Sequence, residues 1–364
     1  MRSERFEQKD ATTDVEFNTL SPSQVLDWTR IGVKRIPFPV GDHQQVISWM
    51  EGRREKLRGL LGVNDIPETR WRETLWTAKD RFGVISKRLV DFGGKIAPVY
   101  IGYSKWARSA RSWMICLQGH GSGMHISLGV DRTEERWQIP IAGDRDIATW
   151  CMAAGFNVLC LEQLSLGERR EHVLKKTHQH PCQDAAMHRI ALGYTLLGER
   201  VAEVHGVVDL IRSNEPSGIK VGILGNSMGG TVAMYSHALY EDIDFIIAAG
   251  CISQFEDALI SNSGRHCTDL YVPGLVEHFD CSDVLVLAAP KLTILVYGIG
   301  DQIFPIKGFA KAYSEAKKGF QSVDAEKYLH PVIGFGGHRH YRALTLASLA
   351  KFPEVFGHRV PIET

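Results

Sequence analysis

The sequence predicts an α/β protein: a mostly parallel central sheet flanked by helices, with an N-terminal helical extension. Three observations carry that reading. Short apolar strands alternate with helical patterns from about residue 113 to residue 352, an arrangement that calls for parallel pairing through crossovers. The apolar run Val221-Gly222-Ile223-Leu224 passes through Gly225-Asn226-Ser227-Met228-Gly229-Gly230 directly into a helical pattern, a sharp strand-to-helix turn with glycines on both sides of a serine. The 364 residues can bury a large core, and none of their apolar runs approaches the ~20 residues of a membrane span.

Taken in order, residues 1–80 read as a helical extension whose first 20 or so residues are polar and frayed. Ser21 and Pro22 open one helix as N-cap and first helical position, and a second fits residues 42–61 with Gly62 as its stop. Arg53, Arg54, Lys56 and Arg58 on the second read as a solvated face. Residues 84–92 and 95–103 flank Gly93-Gly94 as a hairpin, with Pro98 suggesting an edge strand. The strand 113–117 leads into the glycine-rich loop Gly119-His120-Gly121-Ser122-Gly123, followed by a helix over 145–154 capped by Asp144 and a strand over 157–161. Residues 162–184 form a polar insertion. One long helix is expected next, with Ile190, Tyr194, Leu197, Val201, Val204, Val208 and Ile211 on a single stripe. Beyond the serine turn come a strand at 244–249, a loop-rich excursion at 251–288, strands at 291–298 and 325–333, and helices at 305–318 and 341–352. The expected division is a helical extension over 1–80 and a main domain over 81–364, with insertions near 162–184 and 251–288.

Composition excludes some partners. Lys+Arg and Asp+Glu both count 42, so no basic excess points to nucleic acid or an anionic membrane. The seven cysteines are scattered without a Cys-x-x-Cys pair, and residues 1–5 lack the apolar core of a signal peptide. A reduced cytoplasmic protein is the expectation, with a homo-oligomer through the N-terminal helices left open.

The candidate chemistry centres on Ser227. A Gly-x-Ser-x-Gly string alone arises by chance in about one chain in eight of this length, so its place between strand and helix carries the argument. A serine hydroxyl needs a base, and the base needs an orienting carboxylate. Asp301 lies just past the strand 291–298. His338 lies in the glycine loop Gly334-Phe335-Gly336-Gly337 after the last strand, with His340 as competitor. Met228 N–H, at a helix N-terminus, is a natural donor to a developing oxyanion. His120 N–H leads as the second donor, with Gly121 next. His172, His178, His180, His188 and Cys182 match no familiar zinc spacing, His125 and His266 are ambiguous, and no metal or cofactor is expected.

With these residues in place the chain resembles the α/β-hydrolase superfamily, and within it the dienelactone-hydrolase-like and acetyl-xylan-esterase-like group. The matching segments are Leu117-Gln118-Gly119-His120-Gly121, Gly167-Glu168-Arg169, Gly225 to Gly230, His266-Cys267 with Val272-Pro273-Gly274-Leu275, Ala288-Ala289-Pro290-Lys291, Gly300-Asp301 with Phe304-Pro305, and Gly336-Gly337-His338. Two positions depart: Gln118 stands where the group usually has His, and Glu168 brings bulk where glycine is expected. The resemblance implies the α/β-hydrolase fold, a nucleophile elbow and the chain order Ser227, Asp301, His338 for a catalytic triad. The expected activity is that of a serine-dependent carboxylic ester hydrolase acting on a small or polar ester, such as an acetylated or sugar-linked one. A thioesterase or peptidase of the same fold, and a catalytically silent binding protein, remain the alternatives.

Overall fold

The structure, a computed structural model, describes residues 36–63, 67–107, 112–135, 138–170, 181–261 and 266–356. The helix expected from Ser21 lies outside these residues. A nine-stranded sheet organises the chain: β1 (Thr69–Lys79), β2 (Gly83–Phe92), β3 (Lys95–Ser104), β4 (Ser112–Leu117), β5 (Asn157–Leu161), β6 (Lys220–Asn226), β7 (Phe245–Ala249), β8 (Leu292–Gly298) and β9 (Leu329–Gly334). Their spatial order is β1-β2-β3-β5-β4-β6-β7-β8-β9. The first three strands pair antiparallel, β3 joins β5 antiparallel, and every pair from β5 to β9 is parallel. Going from β4 to β5 the chain moves one way along the sheet, and from β5 to β6 it crosses back over β4. The direction of winding therefore reverses at β4 and β6, and the crevice beyond their carboxyl ends is where such sheets place ligands.

The strands β4 to β8 are buried on both faces, so they read as continuous apolar runs rather than alternating ones, while the edge strand β9 is partly exposed. The flanking helices used below are α1 (His43–Leu61), α2 (Ile147–Ala153), α3 (Pro181–Ala191), α4 (Leu196–Asn214), α5 (Met228–Leu239), α6 (Ile306–Ser322) and α7 (Arg342–Leu349). One apolar core under one face of the sheet includes α1, α4, α5 and α6, and a second under the other face includes α2 and α7.

Several expectations shift. Residues 69–79, assigned to the helical extension, form β1 at the sheet edge. Trp71, Leu75 and Ala78, spaced by four and three, fit a helical stripe as well as a strand. Pro98 is not on an edge: β3 lies between β2 and β5, but β5 pairs only with Val99 to Gly102, so Pro98 sits just beyond that ladder. Gly93 and Gly94, at φ 61° and 98°, make the hairpin turn as read. The single long helix predicted through Ile190 breaks in two. Gly193 turns at φ 80°, Thr195 caps α4 by accepting from Gly198 N–H at 2.9 Å, and Ile190 and Tyr194 are exposed. Asp144 does not cap α2, which starts at Ile147; its carboxylate accepts from Arg339 Nη2 at 2.7 Å and from Arg342 N–H at 3.2 Å.

Of the basic residues of α1, Lys56 is exposed as expected, but the three arginines are not a solvated face. Arg58 Nη2 donates to Leu239 O at 2.7 Å, Arg54 Nε to Ala238 O at 3.1 Å and Arg54 Nη2 to Leu287 O at 2.8 Å, while Arg53 donates to His278 O. Ala238 and Leu239 end α5, whose last carbonyls have no helical partner. The guanidinium groups thus satisfy orphan acceptors at the negative end of the helix dipole.

Arg169, in the segment after β5, makes a two-pronged pair with Glu203 on α4, at 2.6 and 2.7 Å, with both side chains under a tenth exposed. Removing one partner leaves the other charge buried and uncompensated. Glu203→Ala is expected to cost about 3–5 kcal/mol in denaturant unfolding; a change below about 1 kcal/mol would show that the pair does not hold this segment to α4.

Candidate active site

Ser227 sits between β6 and α5 with φ 55° and ψ −120°, a conformation that costs a non-glycine residue about 1–3 kcal/mol. Packing enforces it. A Cβ on Gly225 would run into the Gly229 carbonyl, and one on Gly229 into the carbonyls of Leu117 and Gln118 at the end of β4. The Ser227 N–H is also tied to Ala249 O of β7 at 2.6 Å. The serine therefore faces a cavity of about 430 Å³ beyond the carboxyl ends of the strands, which it shares with Gly119, His120, Met228 and His338. Met228 opens α5, where the first amides have no carbonyl four residues back to bond.

Asp301 lies past β8 and His338 past β9, and their loops bring them together: His338 Nδ1 donates to Asp301 Oδ2 at 2.7 Å. The other carboxylate oxygen accepts from Ile303 N–H at 2.8 Å and Phe304 N–H at 3.1 Å, which fixes it from behind. The carboxylate is 1% exposed and the imidazole 21%. The ring is held on two further sides. Phe304 stacks on it with centroids 6.0 Å apart, and Gly250, at φ 60°, leaves room where a Cβ would stand 3.0 Å from Cε1. In the neutral ring, a donating Nδ1 leaves the lone pair on Nε2.

His340 is a different kind of residue. It is wholly buried and stacked on Trp150 at 5.1 Å, and burial pushes it down to about 4. It packs the neutral ring against the core.

The glycine loop after β4 is braced from several sides. The Gln118 side chain donates to Ser127 Oγ at 2.7 Å and Arg145 O at 2.8 Å, and Gln163 Nε2 donates to Gln118 O at 2.8 Å. The departure from the family's histidine thus supplies an amide with two donors, both used. Glu162, at the end of β5, accepts from Met124 N–H at 3.0 Å and Glu168 N–H at 3.2 Å. Burial pushes its carboxyl up to about 7, against the pull of those two amides. Glu168 itself pairs with Lys87 at 2.8 Å.

The sequence reading missed the floor beneath Met228. Arg200 of α4, with a side chain 0% exposed, pairs with Asp269 at 2.6 Å, lies 2.8 Å from Met228 Sδ and 3.2 Å from Cys182 Sγ, and donates to Leu164 O at 2.6 Å. One signal was present: an arginine inside the apolar stripe Leu197, Val201, Val204. The Cys267 thiol donates to Cys182, and with Arg200 adjacent this holds Cys182 well below the usual thiol range; the same hydrogen bond and burial push Cys267 up. His266, also on the cavity wall, bonds Ala258 O through Nε2 at 2.9 Å. Of the histidine-rich stretch, His188 is exposed, and His172, His178 and His180 lie outside the described residues.

Known proteins share this fold. No protein-family model matches the chain. It is 24% identical over 293 residues to "Putative hydrolase YtaP" of Bacillus subtilis (strain 168), covering 79% of this chain and 93% of that one. Its structure superposes on a "putative acetyl xylan esterase" from Bacteroides fragilis NCTC 9343 with a TM-score of 0.69 at 12% identity, over 88% of this chain and 83% of that one. The chain has the α/β-hydrolase fold. A glucuronoyl esterase from Solibacter usitatus shares that α/β-hydrolase fold, with a TM-score of 0.57 at 14% identity over 87% of this chain and 94% of that one. Among the described residues no helix is long and apolar enough to cross a membrane.

Glu162 gives a pH prediction. Its pKa in the folded protein, about 7, lies above the ordinary value of 4.5, so the folded state holds the proton longer than the unfolded chain does. The contribution is present below about pH 4.5 and is lost as pH rises through about 7. Glu162→Gln should remove this decline from the pH dependence of the melting temperature. An identical pH dependence in wild type and variant would contradict it.

Proposed function

We propose that this protein is a serine-dependent carboxylic ester hydrolase, with Ser227 as nucleophile, His338 as general base and acid, and Asp301 as the carboxylate that orients the imidazole. The observation that carries the reading is the 2.7 Å bond from His338 Nδ1 to Asp301, with His338 and the strained Ser227 on the walls of one cavity. Ser227 Oγ attacks the acyl carbon while His338 Nε2 takes its proton. The same nitrogen then protonates the leaving alcohol, and a water deprotonated by His338 releases the acid. The imidazolium formed midway is stabilised by the Asp301 charge, which its two amide bonds keep in place. Met228 N–H and His120 N–H stabilise the tetrahedral oxyanion, with Gly121 N–H as the next donor along the same loop; one such donor is worth about 100-fold or more in rate.

The substrate class follows from the cavity. Its walls carry Arg145, Arg339 and His266 beside Leu270 and Ile303, so polar and apolar groups share a space of about 430 Å³. The charged and imidazole groups among these walls suit a short acyl group on a polar or sugar-linked alcohol, whose hydroxyls they can meet. The resemblance in fold to an acetyl xylan esterase and a glucuronoyl esterase supports a sugar-linked ester.

Three measurements test this reading. A fluorophosphonate probe should label the wild type and not Ser227→Ala; an unlabelled wild type would mean a catalytically silent protein. Asp301→Asn should keep the fold and lower kcat about 10⁴-fold, because the amide leaves the imidazole in the wrong tautomer. Acetyl p-nitrophenyl ester should be hydrolysed faster than long-chain esters; the reverse order would refute the assignment of a small, polar substrate.

A further inference from the structure

At the cavity floor three ligating side chains meet that the esterase mechanism does not use. His120 comes from the loop after β4, Cys182 from the first turn of α3, and Cys267 from the segment before the turn Thr268–Leu270. One ligand atom from each lies within 4.8 Å of the other two. The two cysteine segments are tied together, since Thr268 Oγ1 donates to Cys182 O at 3.3 Å. His120 and Cys267 both line the cavity, so a small ion can arrive from solvent, while Cys182 closes the site from the buried side.

We propose that His120, Cys182 and Cys267 form a binding site for a thiophilic divalent cation of the zinc class, seated at the floor of the cavity that holds Ser227. The donor set selects the ion. Two sulfurs and an imidazole suit Zn²⁺ and match poorly the oxygen preference of Mg²⁺ or Ca²⁺. Tetrahedral zinc with Zn–S of about 2.3 Å and Zn–N of about 2.0–2.1 Å holds its donor atoms roughly 3.5–3.8 Å apart, so closing the present cluster takes movements of about an ångström. Charge points the same way. Arg200 and Asp269 neutralise one another beside the cluster, and metal binding releases the Cys267 proton to solvent, so that two thiolates carry two negative charges that a divalent cation cancels. Three protein donors leave the fourth position to water or to an oxygen of a bound ligand, as in zinc sites with an open position. Arg200, 3.2 Å from Cys182 Sγ, supports that sulfur as a thiolate donor in the way outer hydrogen-bond partners support metal ligands.

A disulfide between Cys182 and Cys267 is the competing fate of two neighbouring sulfurs, and it would leave His120 no part in the cluster. The reduced, chelator-treated protein titrated with Co²⁺ distinguishes them. The wild type should take up one Co²⁺ with a thiolate-to-metal charge-transfer band in the near ultraviolet, which stoichiometric Zn²⁺ abolishes by displacement. Cys182→Ser and, separately, Cys267→Ser should weaken Co²⁺ binding by more than the about 10–100-fold that losing a supporting partner costs, each being first checked for a cooperative melt. If neither variant folds, differential alkylation of the wild type decides: zinc should protect the peptides containing Cys182 and Cys267 from iodoacetamide. No thiolate band in the wild type, wild-type affinity in a folded serine variant, absence of protection, or a Cys182–Cys267 disulfide without metal uptake would each overturn the proposal. None of these readouts depends on ester hydrolysis, so the site stands or falls separately from the catalytic assignment.

Discussion

The close approach of backbone to backbone where β6 turns into α5 is the constraint on which the rest of this molecule depends. Gly225 and Gly229 let the turn press against the end of β4, and that pressure holds Ser227 in a conformation no unstrained serine would choose. Strain of about a kilocalorie or more persists only if the surroundings forbid relaxation. Here they do so from three directions: β4 below the turn, Ala249 of β7 beside it through the Ser227 N–H, and Cys251, whose Sγ would stand 2.7 Å from a Cβ on Gly230. The parallel core of the sheet is therefore more than a support for loops. It is a clamp whose neighbouring strands set the direction of one hydroxyl.

A second feature of the design is how much charge is buried around that clamp and how completely it is paired. Arg169 with Glu203 and Arg200 with Asp269 hold the insertion after β5 and the segment after β7 to α4. Ion pairs taken out of water contribute little net stability, since desolvation offsets most of their attraction. What they do supply is geometric definition, because a fork of guanidinium donors meets a carboxylate in few orientations. Apolar contacts alone would let these irregular segments slide. The arginines of α1 work by the same chemistry at lower cost, capping the carbonyls that end α5.

The parts of this fold legible in the sequence are those governed by local rules. Apolar runs located β4 to β9, glycine and capping residues located α1 and the hairpin of β2 and β3, and the order of Ser227, Asp301 and His338 followed from loops after strands. What escaped was set by tertiary contacts. β1 gains its place by pairing with β2, and nothing in its own half-exposed pattern says so. The helix expected through Ile190 and Tyr194 continued on periodicity, whereas the chain turns at Gly193. Arg54 and Arg58 looked like surface charge because the carbonyls they serve lie far along the chain. The same distance hid the meeting of His120, Cys182 and Cys267, for no spacing rule relates three loops that converge only after folding.

The glycine loop is where the scaffold meets the proposed chemistry. Backbone amides stabilise a developing oxyanion only when they are already aimed at it, since an amide that must reorient during the reaction spends the energy it would supply. A loop rich in glycine is the least able to hold such an aim by itself, because its backbone has the most freedom to lose. In this chain side chains fix the loop at its two ends. Gln118 bonds Ser127 and Arg145 at the start, and Glu162 grips Met124 N–H just beyond Gly123. Glu162 is buried in making that contact, against its preference for water, which is why burial drives its carboxyl toward neutrality. The core holds this buried acid where it grips Met124 N–H, so the loop's backbone freedom is confined to the residues between the two anchors, the stretch that the proposed mechanism would aim at a substrate oxygen.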